Sequence, residues 1–181
     1  MKLLIVYGTT DGQTAKIAGR IAESAVAQGL EAELIDSNQI PADFSMQGFD
    51  GVLVGSPLRS RHYATSVDAF IREHKSELES RPSAFFSVSL GDASYFSSWM
   101  DTAVQGFLKE TGWQPTTIGR FGGALKYTIY DFWTRFFMGL FGWIMGYPTD
   151  TSRDHELTDW DEVTKFTNEF ITIVEAQQSS G

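Results

Sequence analysis

Short apolar runs and helical stripes of hydrophobic residues alternate along the chain. Runs typical of strands lie at residues 2–7, 31–36, 51–56, 83–90 and 114–125. Apolar spacing of three and four residues predicts helices after Thr14 and at 66–78, 97–111 and 159–176. Since strands and helices nearly alternate, the pattern predicts an α/β fold: a doubly wound parallel sheet with helices on both faces, in a single domain of residues 1–181.

Two features of this pattern direct the search for function. Ligands of such sheets bind beyond the carboxyl ends of the strands, where the strand order reverses, so the loops after the first, third and fourth strands are the candidates. One connection, the insertion at about residues 126–158, is longer than the minimal pattern needs, and connections of that length are often functional.

The composition excludes several classes of function. The chain has no Cys, which excludes disulfides, thiolate zinc sites, iron–sulfur clusters and a cysteine nucleophile, and with 3 His we expect no metal site. A formal net charge of −9 argues against a nucleic-acid binder, because such proteins need a basic surface. No apolar run is long enough to span a membrane and the N-terminus does not resemble a signal peptide, so we expect a cytoplasmic protein.

The turn after the first strand has the composition of a phosphate-binding loop. It reads GTTDGQT from Gly8 to Thr14, and a helical pattern follows it. Glycines, short hydroxyl side chains and a helix N-terminus supply the donors that a phosphate needs. Neither the Walker lysine nor the dinucleotide glycine pattern is present, which favours a monophosphate. The candidates are Thr9, Thr10, Asp11, Gly12, Gln13 and Thr14; the alternative is that Thr10 and Gln13 merely form a capping box.

A small basic cluster, Arg59, Arg61 and His62, follows the third strand of this acidic chain. The forked donors of arginine suit carboxylates and phosphates, so Arg59 is a candidate for cofactor contact and Arg61 for substrate contact. His62 is the candidate for proton transfer, because imidazole titrates near neutral pH. The alternative is that these are solvated loop charges. We expect His74, in a polar helical stretch, to face solvent.

The insertion contains an aromatic stretch, FWTRFFMGLFGWIMG at 132–146. It is too short to span a bilayer, but Trp and Phe favour the membrane interface. Contact with a membrane or quinone, self-association, and a buried helix covering the sheet edge are the three interpretations. The residues assigned to substrate or membrane contact, besides Arg61, are Lys126, Phe132, Trp133, Arg135, Phe136, Phe137, Phe141 and Trp143.

In their order along the chain, these motifs resemble the flavodoxin-like family, whose members hold the phosphate of FMN in a hydroxyl-rich loop after the first strand. More narrowly, the chain is similar to the bacterial quinone-dependent protoporphyrinogen IX oxidases (dehydrogenases), and the similarity runs through nearly its whole length. The motifs are TDGQT at 10–14, LRSRHY at 58–63, PSAFFSVSL at 82–90, GALKY at 123–127, TDT at 149–151 and LTDW at 157–160.

The resemblance implies a five-stranded sheet of order 2-1-3-4-5, with FMN as cofactor and its isoalloxazine ring held by the loops after the third and fourth strands. Those loops contribute Ser56, Pro57, Leu58, Arg59 and Tyr63, and then Ser87, Val88, Ser89, Leu90, Gly91 and Asp92. Tyr63, Tyr95 and Phe96 are the aromatic candidates for stacking on the flavin.

The resemblance also implies an oxidoreductase of haem biosynthesis that converts protoporphyrinogen IX to protoporphyrin IX and passes the electrons to ubiquinone or menaquinone. The expected setting is the inner face of the cell membrane, with a possible homo-oligomer formed through the insertion. The competing interpretation is a flavodoxin-type electron carrier, which the acidic charge favours and the apolar insertion opposes.

Overall fold

The computed structural model describes residues 1–59, 61–90, 97–129, 143 and 149–179, with the backbone alone for 97–100 and 129. The central sheet contains five parallel strands: β1 Lys2–Tyr7, β2 Glu31–Asp36, β3 Gly51–Pro57, β4 Ser83–Ser89 and β5 Thr117–Gly122. Their order, β2-β1-β3-β4-β5, confirms the predicted sheet. The chain adds β2 on one side of β1 and then β3 on the other side, so the strand order reverses between β1 and β3, which is where such sheets open a crevice for a ligand.

Helices cover both faces of this sheet, as predicted. They are α1 Gln13–Ala27, α2 Thr65–Glu73, α3 Lys75–Glu79, α4 Ser97–Thr111 and α5 Trp160–Gln178. Helices α1 and α5 enclose one hydrophobic core, in which Phe86 and Phe170 are fully buried. Helices α2 and α4 enclose a second core around Phe70 and Phe85. Since β1, β3 and β4 face a core on each side, they carry continuous apolar runs.

The helix predicted at 66–78 is divided at His74. With φ of −105° and ψ of 17°, His74 ends α2 before α3 begins. The prediction that His74 faces solvent is wrong, because its side chain is only 16% exposed. Its ring packs against Phe44 and Phe70, with centroids 5.4 and 4.8 Å away. Packing between rings from different parts of the chain therefore holds this imidazole inside.

The strand region predicted at 114–125 is split at Gly123. The two further strands are β6 Ala124–Leu125 and β7 His155–Glu156, which pair antiparallel. The Gly123 N–H donates to the Ser89 carbonyl over 2.9 Å, and its carbonyl accepts the Leu157 N–H over 3.0 Å. The two ends of the insertion therefore meet in a short ladder beside the end of β4.

The spacing of Thr158 and Asp161 predicts a variant of the capping box, with Thr158 as the cap of the last helix. Asp159, not Thr158, caps α5, and its side chain accepts the N–H groups of Asp161 and Glu162 over 2.9 and 3.2 Å. Thr158 instead donates its hydroxyl to the carbonyl of Gly122 over 2.6 Å. The start of α5 is thereby tied to the end of β5.

Candidate functional site

The chain leaves β1 through a turn that lies against the start of α2. The Gly8 N–H donates to the Gly55 carbonyl of β3 over 2.9 Å, so the turn begins within the sheet. A Cβ atom at Gly8 would lie 2.9 Å from both Ala64 Cβ and Val67 Cγ2, which is closer than packed side chains allow. The missing side chain at Gly8 therefore lets the loop after β1 approach the helix after β3.

Helix α1 begins directly after a left-handed glycine. Gly12 has a φ of 84°, and no side chain caps the helix. The capping-box alternative for Thr10 and Gln13 is therefore wrong; instead Thr9 Oγ1 accepts the Gly12 N–H over 3.1 Å. The Lys16 N–H donates to the Gly12 carbonyl over 3.0 Å, so the N–H groups before it lie at the open end of the helix. Such an end attracts anions.

Thr14 gives the clearest sign that this turn is built for a ligand. It lies in the first turn of α1 and is 2% exposed, and its hydroxyl has no hydrogen-bond partner in the part of the chain that the structure describes. Buried hydroxyls are nearly always hydrogen-bonded, so an oxygen of a ligand is the partner that fits. The turn contains hydroxyls and N–H groups but no Lys or Arg, a donor set that suits the monophosphate of FMN.

The loop after β3 folds back towards the turn after β1. Arg59 and His62 exchange two backbone hydrogen bonds of 2.9 Å, which close a tight hairpin. Arg61, within the hairpin, has a φ of 71°, a conformation that is uncommon for a residue with a side chain. Arg59 Nη1 lies 3.5 Å from Asp11 Oδ1. Predicted cofactor residues from two loops therefore lie together, and a guanidinium balances the carboxylate of the turn.

Buried hydroxyls on β3 and β4 fix the loop after β3. Ser56 is fully buried, and its Oγ accepts the Ala64 N–H over 3.0 Å, across the hairpin. Ser87 Oγ lies 3.0 Å from Tyr63 Oη. The half-buried ring of Tyr63 packs on that of Phe107, with centroids 4.5 Å apart. Tyr63, a candidate for stacking on the flavin, is thus oriented by its contacts with β4 and α4.

The remaining predicted residues divide by whether the structure describes them. Pro57 ends β3, and the Leu58 N–H donates to the Val88 carbonyl over 2.9 Å, so the two loops start side by side. Ser89 ends β4 and is followed by Leu90. Outside the described residues lie Gly91, Asp92, Tyr95, Phe96, Phe132, Trp133, Arg135, Phe136, Phe137 and Phe141. Trp143 is described and 74% exposed. None of the described helices combines the length and apolarity needed to cross a bilayer.

A groove of about 460 Å³ lies between α2 and α4, beside the hairpin. Arg61 and His62 form part of its lining. Another basic residue of the groove, Arg72, donates from Nε to both carboxylate oxygens of Asp68 over 3.0 and 2.9 Å, and from Nη1 to the Glu110 carbonyl over 3.2 Å. Arg72 is therefore held by α2 and α4, and the hairpin brings the basic side chains of Arg61 and His62 to the same groove.

A polar cluster that sequence reasoning missed connects α1 with β7. Gln13 Nε2 donates to Glu156 Oε1 over 2.7 Å and to Thr158 Oγ1 over 2.8 Å. Lys16 Nζ donates to both oxygens of the Glu156 carboxylate, over 2.9 and 2.7 Å. The partners are 140 or more positions apart, so no periodicity could reveal them. The one local signal is the place of Glu156 beside the LTDW motif.

These contacts keep Glu156 ionised. Burial raises the pKa of Glu156, but hydrogen bonds from Lys16 and Gln13, with the charges of Lys16 and Lys126, outweigh burial and lower the pKa below its usual value. Lys126, predicted to contact substrate or membrane, thus lies near enough for its charge to act on this carboxylate. The start of α1 and the base of the insertion therefore share one charged group.

The two ends of the insertion are also joined by side chains. Asp154 Oδ1 accepts the N–H and the hydroxyl of Thr128 over 2.9 and 2.8 Å. The Thr128 backbone N–H, with its hydroxyl, holds the pKa of Asp154 below the usual range. The ring of Tyr127, which is fully buried, meets that of His155 edge-on at 6.0 Å. Polar and aromatic contacts thus reinforce the β6–β7 ladder.

Known proteins share this architecture. The family model for the flavodoxin domain matches residues 4–152. The chain is 30% identical over 177 residues to protoporphyrinogen IX dehydrogenase [quinone] of Escherichia coli strain K12, with 97% of each chain covered. It is also 30% identical over 175 residues to the protein of the same name in Leishmania major, covering 95% of this chain and 75% of that one. Oxidised flavodoxin 1 from Bacillus cereus shares the fold, with a TM-score of 0.54, 17% identity, and 95% and 98% of the two chains covered. The chain therefore belongs to the flavodoxin-domain family.

Proposed function

We propose that this protein is an FMN-dependent dehydrogenase that oxidises protoporphyrinogen IX to protoporphyrin IX and transfers the electrons to a quinone. The observation that carries the proposal is the 30% identity to the Escherichia coli enzyme over 97% of both chains, an extent that takes in the insertion as well as the sheet. The geometry of the turn after β1 supports the proposal independently, because a buried hydroxyl and the N-terminus of α1 supply donors for an anion there.

Bound FMN would accept electron pairs from the porphyrinogen and deliver them to the quinone. The residues of the chain would hold the cofactor and orient it. Thr14 and the first N–H groups of α1 would bind the phosphate, with Thr9 and Thr10 beside them. Arg59 offsets the charge of Asp11, which would otherwise repel that phosphate. Ser56 and Ser87 hold the loop after β3, which would lie on one side of the isoalloxazine ring.

The substrate combines a large apolar macrocycle with carboxylate side chains, and the protein offers both kinds of contact. Arg61 would bind a propionate, since it is held in a tight hairpin and lines the groove beside α2. His62 lines the same groove and is exposed, so it would carry protons between the site and water. Trp143, 74% exposed, would contribute to an apolar surface for lipid, quinone or a second copy. The protein would then act peripherally at the inner face of the membrane, in haem biosynthesis.

The decisive experiment is anaerobic mixing of FMN-loaded protein with protoporphyrinogen IX. The flavin absorbance should bleach as porphyrin fluorescence appears, and adding ubiquinone or menaquinone analogues separately should restore the flavin colour. Apoprotein without FMN is the control. A flavin that stays oxidised in the presence of the porphyrinogen would contradict the proposal.

The role of Arg61 can be separated from its structural setting. Arg61→Gln should raise the KM for protoporphyrinogen IX about tenfold or more while leaving kcat nearly unchanged, because a charged hydrogen bond is lost. With the dimethyl ester of the substrate, which lacks the propionate charges, wild type and Arg61→Gln should be equal. Arg20→Gln, on an exposed face of α1, is the matched control. An equal loss on both substrates would show that Arg61 does not recognise the carboxylate.

Membrane contact is tested by flotation with vesicles of neutral and of anionic lipids. Wild type should float with neutral vesicles, and Trp143→Ser should float less, whereas the net charge of −9 should weaken binding to anionic vesicles. Size-exclusion chromatography of the same samples tests self-association through the insertion. Protein that stays monomeric and never floats contradicts both uses of the insertion.

The second candidate, an electron carrier of flavodoxin type, is favoured by the acidic charge. A carrier would dock redox proteins on a charged rim and would have no use for the porphyrinogen. FMN that is reduced by a reductase protein but not by protoporphyrinogen IX would select the carrier.

A further inference from the structure

The polar cluster of Gln13, Lys16, Glu156 and Thr158, which we term the α1–β7 cluster, joins two parts of the molecule that the proposed function uses separately. On one side, Gln13 is the first residue of α1, at the helix end where the phosphate would bind. On the other side, Glu156 pairs with Ala124 in the ladder at the base of the insertion. Hydrogen bonds of the cluster therefore connect the ladder directly to the first turn of α1.

Gln13 makes the central contacts of this cluster. Its side chain is almost entirely buried, and its amide donates to both Glu156 and Thr158. Thr158 in turn donates to the Gly122 carbonyl at the end of β5. The amide thus fixes the Gln13 backbone, whose N–H lies at the start of α1. Because the hydrogen bonds run from the helix end to β5 and β7, the cluster has few ways to rearrange while keeping all its partners.

We propose that Glu156 is a positioning residue that couples FMN binding at the turn after β1 to the order of the β6–β7 ladder. The inference rests on the proposed binding of FMN and extends it to the control of the insertion. The coupling is reciprocal: if FMN makes the ladder more stable by a given factor, an intact ladder tightens FMN by the same factor. In this way bound FMN would stabilise the ladder at the base of the insertion, the element proposed to contact substrate and membrane.

The two contacts of Glu156 should contribute unequally. The side chain of Lys16 is 58% exposed, and ion pairs in such positions are worth little on their own. The bond from Gln13 is made by a buried amide, so its loss leaves a buried donor unsatisfied. The loss of coupling should therefore be largest in Glu156→Ala. It should be smaller in Glu156→Gln, which keeps an acceptor for Gln13, and smallest in Lys16→Met.

The test uses the complete chain and FMN, read by fluorescence titration and by hydrogen exchange with and without FMN. The reporter is the Leu157 N–H, which donates to the Gly123 carbonyl directly beside the ladder. In wild type FMN should slow its exchange about fivefold or more, a typical size for coupling between sites. In Glu156→Ala this slowing should vanish and the FMN Kd should rise by the same factor, with Glu156→Gln recovering part of both. Glu169→Gln, which removes an exposed Lys–Glu pair on α5, is the matched control and should behave as wild type.

Two results would overturn the inference while leaving the proposed function intact: equal protection of Leu157 by FMN in wild type and Glu156→Ala, or FMN affinities within twofold of each other. Urea unfolding of each apoprotein shows that the variants are folded and separates coupling from general destabilisation, which would lower stability without removing the dependence on FMN. Wild type that binds no FMN would instead refute the proposed function itself, and the inference with it.

Discussion

Replacing Thr14 with Val distinguishes a ligand-binding hydroxyl from a structural one. The two side chains are nearly the same size, so the substitution removes a hydroxyl and leaves the packing of a residue that is 2% exposed. In the part of the chain that the structure describes, that hydroxyl bonds to nothing. The apoprotein therefore loses no internal contact, while the complex with FMN loses a donor to the phosphate.

The magnitudes follow from the cost of each state. A hydrogen bond to a charged group is worth about 1.5–3 kcal/mol, so the Kd for FMN should rise about 10- to 150-fold. A buried hydroxyl without a partner destabilises the fold, so Thr14→Val apoprotein should be as stable as wild type or more stable by about 1 kcal/mol. Loss of affinity without loss of stability is the expected signature.

Two measurements on each protein test this. Quenching of flavin fluorescence gives the Kd, and urea unfolding of the apoprotein gives the free energy of unfolding. Thr167→Val is the matched control, since Thr167 is 1% exposed but donates to the Val163 carbonyl over 2.8 Å within α5. That control should lose about 1 kcal/mol of stability and bind FMN normally.

The opposite pattern would refute the reasoning. If Thr14→Val lowered stability by as much as Thr167→Val while FMN bound with unchanged affinity, the Thr14 hydroxyl would be structural. The phosphate would then have to be held by other donors, and the assignment of the turn after β1 would rest on its N–H groups alone.

Three further predictions concern the same region. Gly8→Ala should cost about 1–3 kcal/mol of stability, because the new Cβ would clash with the start of α2. Gly19→Ala is the control: it has open space around it in α1 and should be neutral or stabilising. Equal effects of the two variants in urea unfolding would contradict this. Asp11→Asn should lower the Kd for FMN and Arg59→Gln should raise it. In titrations both changes in Kd should become smaller as salt is added, and changes that do not depend on salt would exclude a charge effect. Burial raises the pKa of Glu156 but does not cancel the hydrogen bonds that lower it, so the stability that Glu156 contributes should be complete above the unfolded value of 4.5 and disappear as the pH falls through the folded pKa. The free energies of unfolding of wild type and Glu156→Gln should therefore converge in acid, and values that diverge there would contradict the prediction.

The strands could be predicted from the sequence because their signal is local. Strands β1 and β2 have the predicted bounds, and β3 differs by one residue. Burial on both faces requires a continuous apolar run, and a few neighbouring positions suffice to show it. The turn after β1 could be proposed as a phosphate-binding loop for the same reason: its glycines, hydroxyls and helix start all lie within seven consecutive positions, 8–14.

Features that join distant parts of the chain could not be predicted in this way. His74 is held inside by rings that include Phe44, thirty positions away. The shift of the α5 cap from Thr158 to Asp159 follows from the bonds that Thr158 makes to β5 and α1. Glu156 contacts α1 from a position about 140 residues away, in the ladder with β6. Each of these assignments depends on tertiary packing, which overrides the local preference.

The charge of the whole chain and the charge at the site act in opposite directions. A net charge of −9 repels phosphate and propionate groups at long range, but at physiological ionic strength salt screens that repulsion beyond about 8 Å. Within that distance the ligand would meet the end of α1, the hydroxyl of Thr14 and a guanidinium beside Asp11. Affinity is then set by these few donors, whereas the net charge mainly slows approach. The acidity that favours an electron carrier is therefore equally compatible with an enzyme that binds anions, and it is the response to protoporphyrinogen IX that separates the two.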